Sequence, residues 1–329
     1  MILIPKCQAM ARSAWVTSRE NELPQTDYFH VVFTIPPALK TYALRNKKVF
    51  YTLMFRAASS TLSQLGADPR YLGGTIGIIA ILHTWTQTLS YHPHIHCIVP
   101  AGALAPDGVE WIPSREKFLF PAEVVKQLYR GKMMAYFREA VKEGAIAMLP
   151  ESDGAPGSFR KVVDALYTEN WVVYLKESIA SPGSIIKYLA SYINRIAISD
   201  RRIVEVDGDH VTFRYIDRSD GNAEKLLTIP LADFISRFLL HAVPAGFVRV
   251  RYYGFLSNRN RGENMARCRA AVSGEPEAID QEEASVAEEE LNAAETIPSL
   301  PVCPHCRSRK LTLAREIPKR RDLLYQQVA

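Results

Sequence analysis

Apolar and polar positions alternate between two periods along this chain. From Tyr28, "YFHVVFTIP" is a short β-rich run closed by Pro36 and Pro37, and predicts a strand. "ALKTYALRNKKVFYTLMFRAASSTLSQLG" then places apolar residues at helical spacing, predicting one or two helices up to Gly66. "TIGIIAILHTWTQTLSYHPHIHCIVPAGAL" predicts two strands, from about Gly77 to Gln87 and from about His94 to Gly102, joined as a hairpin through "TLSYHP". "APDGVEWIP" supplies a turn at Pro106-Asp107-Gly108 and a short strand through Trp111. Residues 121–146 read as an amphipathic helix opening with Pro121. "WVVYLKES" predicts a strand, and "SPGSIIKYLASYINRIA" a helix whose start is capped at Ser184. "RIVEVDGDHVTFRYID" is a hairpin turning at Asp207-Gly208, "LADFISRFLLHAVP" a helix ending before Pro244, and "FVRVRYYGFLS" a last strand. A helix over "NRNRGENMARCRAAV" follows. Hairpins interspersed with helices, without an internal repeat, predict an α+β fold with a central, mainly antiparallel sheet and flanking helices.

The 329 residues suffice for one large domain or two ordinary ones. Charge changes the picture more. The net +5 conceals residues 275–295, which carry nine acids and no Lys or Arg. Without them, 40 basic residues face 26 acidic ones, a net of +14 that suits a polyanionic partner, nucleic acid above all. The acidic stretch has too few large apolar residues to pack and reads as a linker over 271–302. The run "LGGTIGIIAIL" is too short and glycine-rich to span a bilayer, and the first residues lack the apolar core of a signal peptide, so a cytoplasmic protein without a membrane partner is expected. Five scattered cysteines do not suggest a disulfide framework.

Candidate chemistry concentrates in "HPHIH", with three of the eight histidines. In a strand, residues two apart share a face, so His94 and His96 project together, about 7 Å apart at Cα for a rise of ~3.3 Å per residue. Ile95 faces the core, and His92, before Pro93, is a bystander or an outer partner. A third metal ligand can come from the preceding strand: His83 offers an imidazole and Gln87 an amide oxygen. Three protein ligands with open positions are the arrangement of a catalytic metal site.

"KYLASYINR" places Tyr188 and Tyr192 four apart, on one face of a helix, with Lys187 and Arg195 close by. Alone, the pair is no more than a core stripe with Ile185 and Leu189. Beside a metal pair in a basic protein, a tyrosine hydroxyl is a competent nucleophile on a phosphodiester that a cation polarises, leaving a protein–DNA phosphotyrosine and a free 3′-OH. Two such tyrosines allow two linkages in alternation.

"HPHIHCIVP" and "YLASY", with "YFHVVFTIP", "LHTWTQTLSYHPHIH", "KYLASYINRIAIS" and "GFVRVRYYGFLSNRNR", resemble the two-tyrosine HUH transposases of rolling-circle bacterial insertion sequences, collinearly from about Tyr28 to Arg269. The resemblance implies a single-strand DNA endonuclease and strand transferase using Mg²⁺ or Mn²⁺, with no small-molecule cofactor and with single-stranded DNA at transposon ends and target as partner. It implies a sheet related to RNA-recognition and ferredoxin-like folds, the HUH strand central and the tyrosine helix beside it. Carried over, His94 and His96 are metal ligands and Tyr188 and Tyr192 nucleophiles; the third ligand is His83 or Gln87. The domain expected is 28–270. Such transposases begin with a cysteine-rich zinc-binding domain; "MILIPKCQAMAR" retains only Cys7, so 1–27 is expected to be its remnant.

Further residues fit DNA. Arg249 and Arg251 alternate on one face of "FVRVRYYGF", followed by Tyr252 and Tyr253, a combination suited to phosphates and stacked bases. Arg259, Arg261, Arg267 and Arg269 extend the set. In the tail 303–329, Cys303 and Cys306 form half a zinc knuckle that lacks two ligands. The rivals are a metal-dependent hydrolase of small substrates, which requires a further histidine and an acidic ligand, and a non-catalytic DNA-binding protein.

Overall fold

A computed structural model describes residues 23–115, 117–147, 159–179, 197–259 and 261–273. The segment with Tyr188, Tyr192, Lys187 and Arg195, which the sequence predicts as a helix, the acidic stretch, Cys7, Cys303 and Cys306 lie outside the described residues.

The elements are β1 (Tyr28–Thr34), α1 (Pro37–Arg45), α2 (Lys47–Ala67), β2 (Gly77–Trp85), β3 (Tyr91–Pro100), β4 (Gly102–Leu104), β5 (Trp111–Pro113), α3 (Ala122–Lys142), α4 (Phe159–Thr168), β6 (Val173–Ile179), β7 (Ile203–Asp207), β8 (His210–Asp217), β9 (Ala223–Pro230), α5 (Leu231–Leu240), β10 (Val250–Gly254) and α6 (Arg261–Ser273). Five strands form one antiparallel sheet in the order β10-β2-β3-β1-β6, so β3, the histidine strand, is central. β7, β8 and β9 make a second antiparallel sheet. The fold is α+β, as the alternating hairpins and helices predict. Among the described residues, no helix is long and apolar enough to cross a membrane.

Strand periodicity divides the large sheet into two different faces. Phe29, Val31 and Phe33 of β1, Ile78, Ala80 and Leu82 of β2, and Ile95, Cys97 and Val99 of β3 join one core with Phe50, Met54, Phe55 and Leu62 of α2 and Tyr129, Met133 and Phe137 of α3. On the opposite face, Tyr28, Ile79, Ile81 and Ile98 pack with Met265 and Cys268 of α6 and with Phe255 and Leu256. That second core covers the end of the face where Tyr28 pairs with Pro100. The other end, where Thr34 pairs with His94, carries the histidines.

Two local signals explain element ends. Pro37 opens α1 with its ring preset for a first helical turn, and Asn46 breaks α1 from α2 at φ −122°, its backbone N–H donating to Tyr42 O at 3.0 Å. Gly254 closes β10 at φ +64°, where an added Cβ would fall 1.6 Å from the Ile76 carbonyl oxygen. Only glycine lets the chain turn so close to the start of β2.

The second sheet is fastened to the β2–β3 turn. Arg202 hydrogen-bonds the Gln87 carbonyl, and Arg237 Nη1 donates to Thr88 O at 3.3 Å. His241, capping α5, donates from Nε2 to Leu89 O at 3.0 Å and accepts from Thr84 Oγ1 at 3.3 Å. Leu89, at φ +62°, is buried with Val211, Phe213 and Ile229.

Candidate metal centre

The site is built from the register of three strands. His83 on β2 is the direct partner of His94 on β3, and His96 lies two residues along β3, opposite Ile81. The three imidazoles therefore point from the same face, and their ligand atoms lie within 4.8 Å of one another. Ring centroids are 4.7 Å apart for His94–His96 and His83–His96, and 5.5 Å for His83–His94. Trp85 stacks on His83 at 4.7 Å and closes one side. Three imidazole donors at this spacing, with no carboxylate in the group, fit a borderline divalent cation held through nitrogen.

Hydrogen bonds set which ring nitrogens face inward. His94 Nδ1 lies 2.7 Å from the His92 carbonyl oxygen, which can only accept, so Nδ1 carries the proton and Nε2 the lone pair. His96 Nδ1 lies 2.8 Å from His30 Nε2, with the two rings parallel within 10° and 5.0 Å apart. His30 sits on β1, 66 residues earlier, and was not singled out by its sequence context. Its one signal is a buried polar residue on the β1 face opposite Phe29, Val31 and Phe33.

Burial keeps these rings neutral. It pushes His94 down to about 4, against a raising contribution from the His92 carbonyl, and the His92, His30 and Arg218 charges lower it further. Burial likewise lowers His96 well below its ordinary range, helped by His83, His94, His30 and Arg218. His30 is lowered to about 4 by burial and then by Lys176, its partner across β6. Arg218, in the turn after β8, is a second residue whose charge acts on the site and whose part there is invisible in the sequence.

Above pH 6.5 these histidines are neutral in both folded and unfolded chains, and contribute no pH dependence. Between pH 6.5 and 4 the unfolded chain binds protons that the folded chain refuses, so stability falls as pH falls. For His30 the full loss is on the order of 3 kcal/mol, and His94 adds in the same direction. Urea unfolding of the metal-free protein is expected to show a midpoint several tenths of a molar or more lower at pH 4.5 than at pH 7, for slopes of ~1–3 kcal/mol per molar. A flat profile over this window would contradict neutral buried rings.

The remaining predicted residues are placed as follows. β2 ends at Trp85, before Gln87, which lies in the turn where the Thr86 N–H donates to Ser90 O, while the grouped imidazoles are those of His83, His94 and His96. His92 contributes its carbonyl, not its ring. Arg251 pairs with Ala80 on the helix-covered face, its guanidinium 4.4 Å from the Phe55 ring and 5.1 Å from Phe247. Arg249, one strand position from Val250, is pushed down by burial. Tyr253 packs against the helix-side core and Tyr252 against the opposite one, with Arg261 over its ring at 5.0 Å. Both tyrosines are half-buried, each with one side against a core and part of its ring left accessible. Arg251→Ala is expected to cost about 1–2 kcal/mol of stability in chemical denaturation, from a partly desolvated cation–π pair and lost stem packing. Unchanged stability would return Arg251 to a purely DNA-facing role.

Comparison with known proteins gives this geometry a context. A family model, Y2_Tnp, described as "Putative transposase", matches residues 77–264, spanning β2, β3, the histidine trio and the Tyr188–Tyr192 segment. The "Putative transposase y4qJ" of Sinorhizobium fredii is 39% identical over 304 residues, 92% of this chain and 76% of that protein. The "Transposase for insertion sequence element IS801" of Pseudomonas savastanoi pv. phaseolicola is 27% identical over 275 residues, 82% of this chain and 63% of that protein. No solved structure matches the chain significantly. The chain belongs to this transposase family.

Proposed function

We propose that the chain cuts and rejoins single-stranded DNA, with His83, His94 and His96 holding a divalent cation and Tyr188 or Tyr192 as nucleophile. The observation that carries the reading is the all-imidazole trio, with the His94 proton fixed on the outward nitrogen. Nitrogen donors favour Mn²⁺ over Mg²⁺, a hard ion that prefers oxygen. A cation there would neutralise charge on the scissile phosphate. The phenol oxygen forms a bond to phosphorus, the P–O3′ bond breaks, and the proton lost by the phenol is matched by the one gained at the 3′ oxygen. The product is a 5′-phosphotyrosine and a free 3′-OH.

The anchors of the tyrosine segment support the reading. Ile179 pairs with Tyr28 at one end of β1, while Ala197 and Ile198 pack with Leu89 beside the β2–β3 turn at the other. Residues 180–196, with both tyrosines, join these two ends of the sheet.

The test uses labelled single-stranded oligonucleotides tiled across the ends of the element that encodes the chain. With Mn²⁺, one of them is expected to become attached to the protein in a form that survives boiling in detergent, and chelation is expected to abolish it. DNA retention without any attachment would leave a binding protein and end the strand-transfer reading.

A further inference from the structure

We propose that His30 is the positioning residue of the cation site, holding His96 as the Nδ1–H tautomer with its Nε2 lone pair turned toward His83 and His94. This rests on the cation reading given above. His30 is buried, 6% exposed, and its Nε2 is 2.8 Å from His96 Nδ1. The two bonded nitrogens share one proton. If His30 accepts, His96 presents a lone pair inward; if His30 donates, His96 carries a proton on the inward nitrogen and cannot ligate. His94 is fixed in the equivalent way by the His92 carbonyl of its own strand. Two ligands on one strand thus have their outer nitrogens engaged by different devices, one backbone and one borrowed from β1.

The choice of an imidazole has a chemical consequence. Metal-bound histidines usually lean on a carboxylate, a carbonyl or water. A carboxylate here would bring negative charge beside the cation. The trio and His30 bring none, so a divalent cation would keep its full charge for an anionic substrate, a phosphodiester.

The tests separate the two readings. Mn²⁺ binding is measured by calorimetry on the unaltered protein, His30→Phe and His30→Gln. The phenylalanine ring fills the site without an acceptor and is expected to weaken binding about 10–100-fold; glutamine, whose amide oxygen accepts, is expected to recover most of it. Failure of the unaltered protein to bind Mn²⁺ would overturn the cation reading itself. Equal binding by His30→Phe would overturn only the role of His30. Should His30→Phe fail to fold, long-range ¹⁵N–¹H correlation spectra of the unaltered, metal-free protein decide: a proton on His96 Nδ1 is expected, and a proton on Nε2 would overturn the proposal.

Discussion

Replacing His96 by alanine is expected to lower cation-dependent strand cleavage by at least about 10³-fold, because a polarising cation supplies several kcal/mol to the transition state and each 1.36 kcal/mol is a factor of ten. His96 is the centre of the group: its ring is 4.7 Å from both other ligand rings and is the one that His30 holds. Without it, two imidazoles remain, too few for a stable site. His94→Ala and His83→Ala act in the same direction. His92→Ala is the internal control. Its ring is not in the trio, and the carbonyl that fixes His94 survives any side-chain change, so cleavage is expected to stay within about threefold. Mn²⁺ affinity and the rate of adduct formation check this together. Cleavage retained by His83→Ala but lost by Gln87→Ala would move the third ligand from strand to turn.

The histidine pair was legible because strand periodicity is a local property. His94 and His96 share a face in any register, whereas the third ligand depends on how β2 pairs with β3. The sequence left His83 and Gln87 open. The register favours the histidine, since His83 falls opposite His94 and the strand ends at Trp85, before Gln87. The sequence predicts the start of β3 at about His94, because Pro93 reads as a strand breaker. In the fold, β3 begins at Tyr91, and β1 stops pairing at His94, so the missing Pro93 N–H costs nothing on that side. β9 was not expected at all. "AEKLLTIP" has little β-branched content, and its strand is set by β8 through the pairing Asp217↔Ala223 to His210↔Pro230. His30 and Arg218 were illegible for a stronger reason. The His30 contact spans 66 residues and the Arg218 charge acts from the turn after β8, which no spacing rule along the chain encodes. For Tyr252 and Tyr253, alternation locates the strand but not how much of each ring the two neighbouring cores take up.

Phenylalanine at both Tyr188 and Tyr192 is expected to reduce covalent attachment of DNA to background, a loss of at least about 10³-fold, as for removal of any covalent nucleophile. Mn²⁺ affinity should be unchanged, since the proposed site holds the cation through the His83, His94 and His96 imidazoles alone. This combination separates loss of the nucleophile from loss of the cation, where both activity and affinity fall. The single variants carry more information. If the segment is helical, as its spacing predicts, two phenols four residues apart can reach one phosphate in turn, so either variant should still form one adduct but fail to transfer it to a second strand. The competing nucleophile has a definite place. Tyr174 on β6 pairs with Val32, and Val32 pairs with His96, so Tyr174 stands on the histidine face two strands away, about 10 Å at the usual strand spacing. It is 57% exposed, open to DNA in a way that a core tyrosine is not. Attachment that persists in the double phenylalanine variant and disappears on adding Tyr174→Phe would move the nucleophile from the Tyr188–Tyr192 segment to the edge of the sheet. Persistence in the triple variant would remove tyrosine on this face from the chemistry altogether.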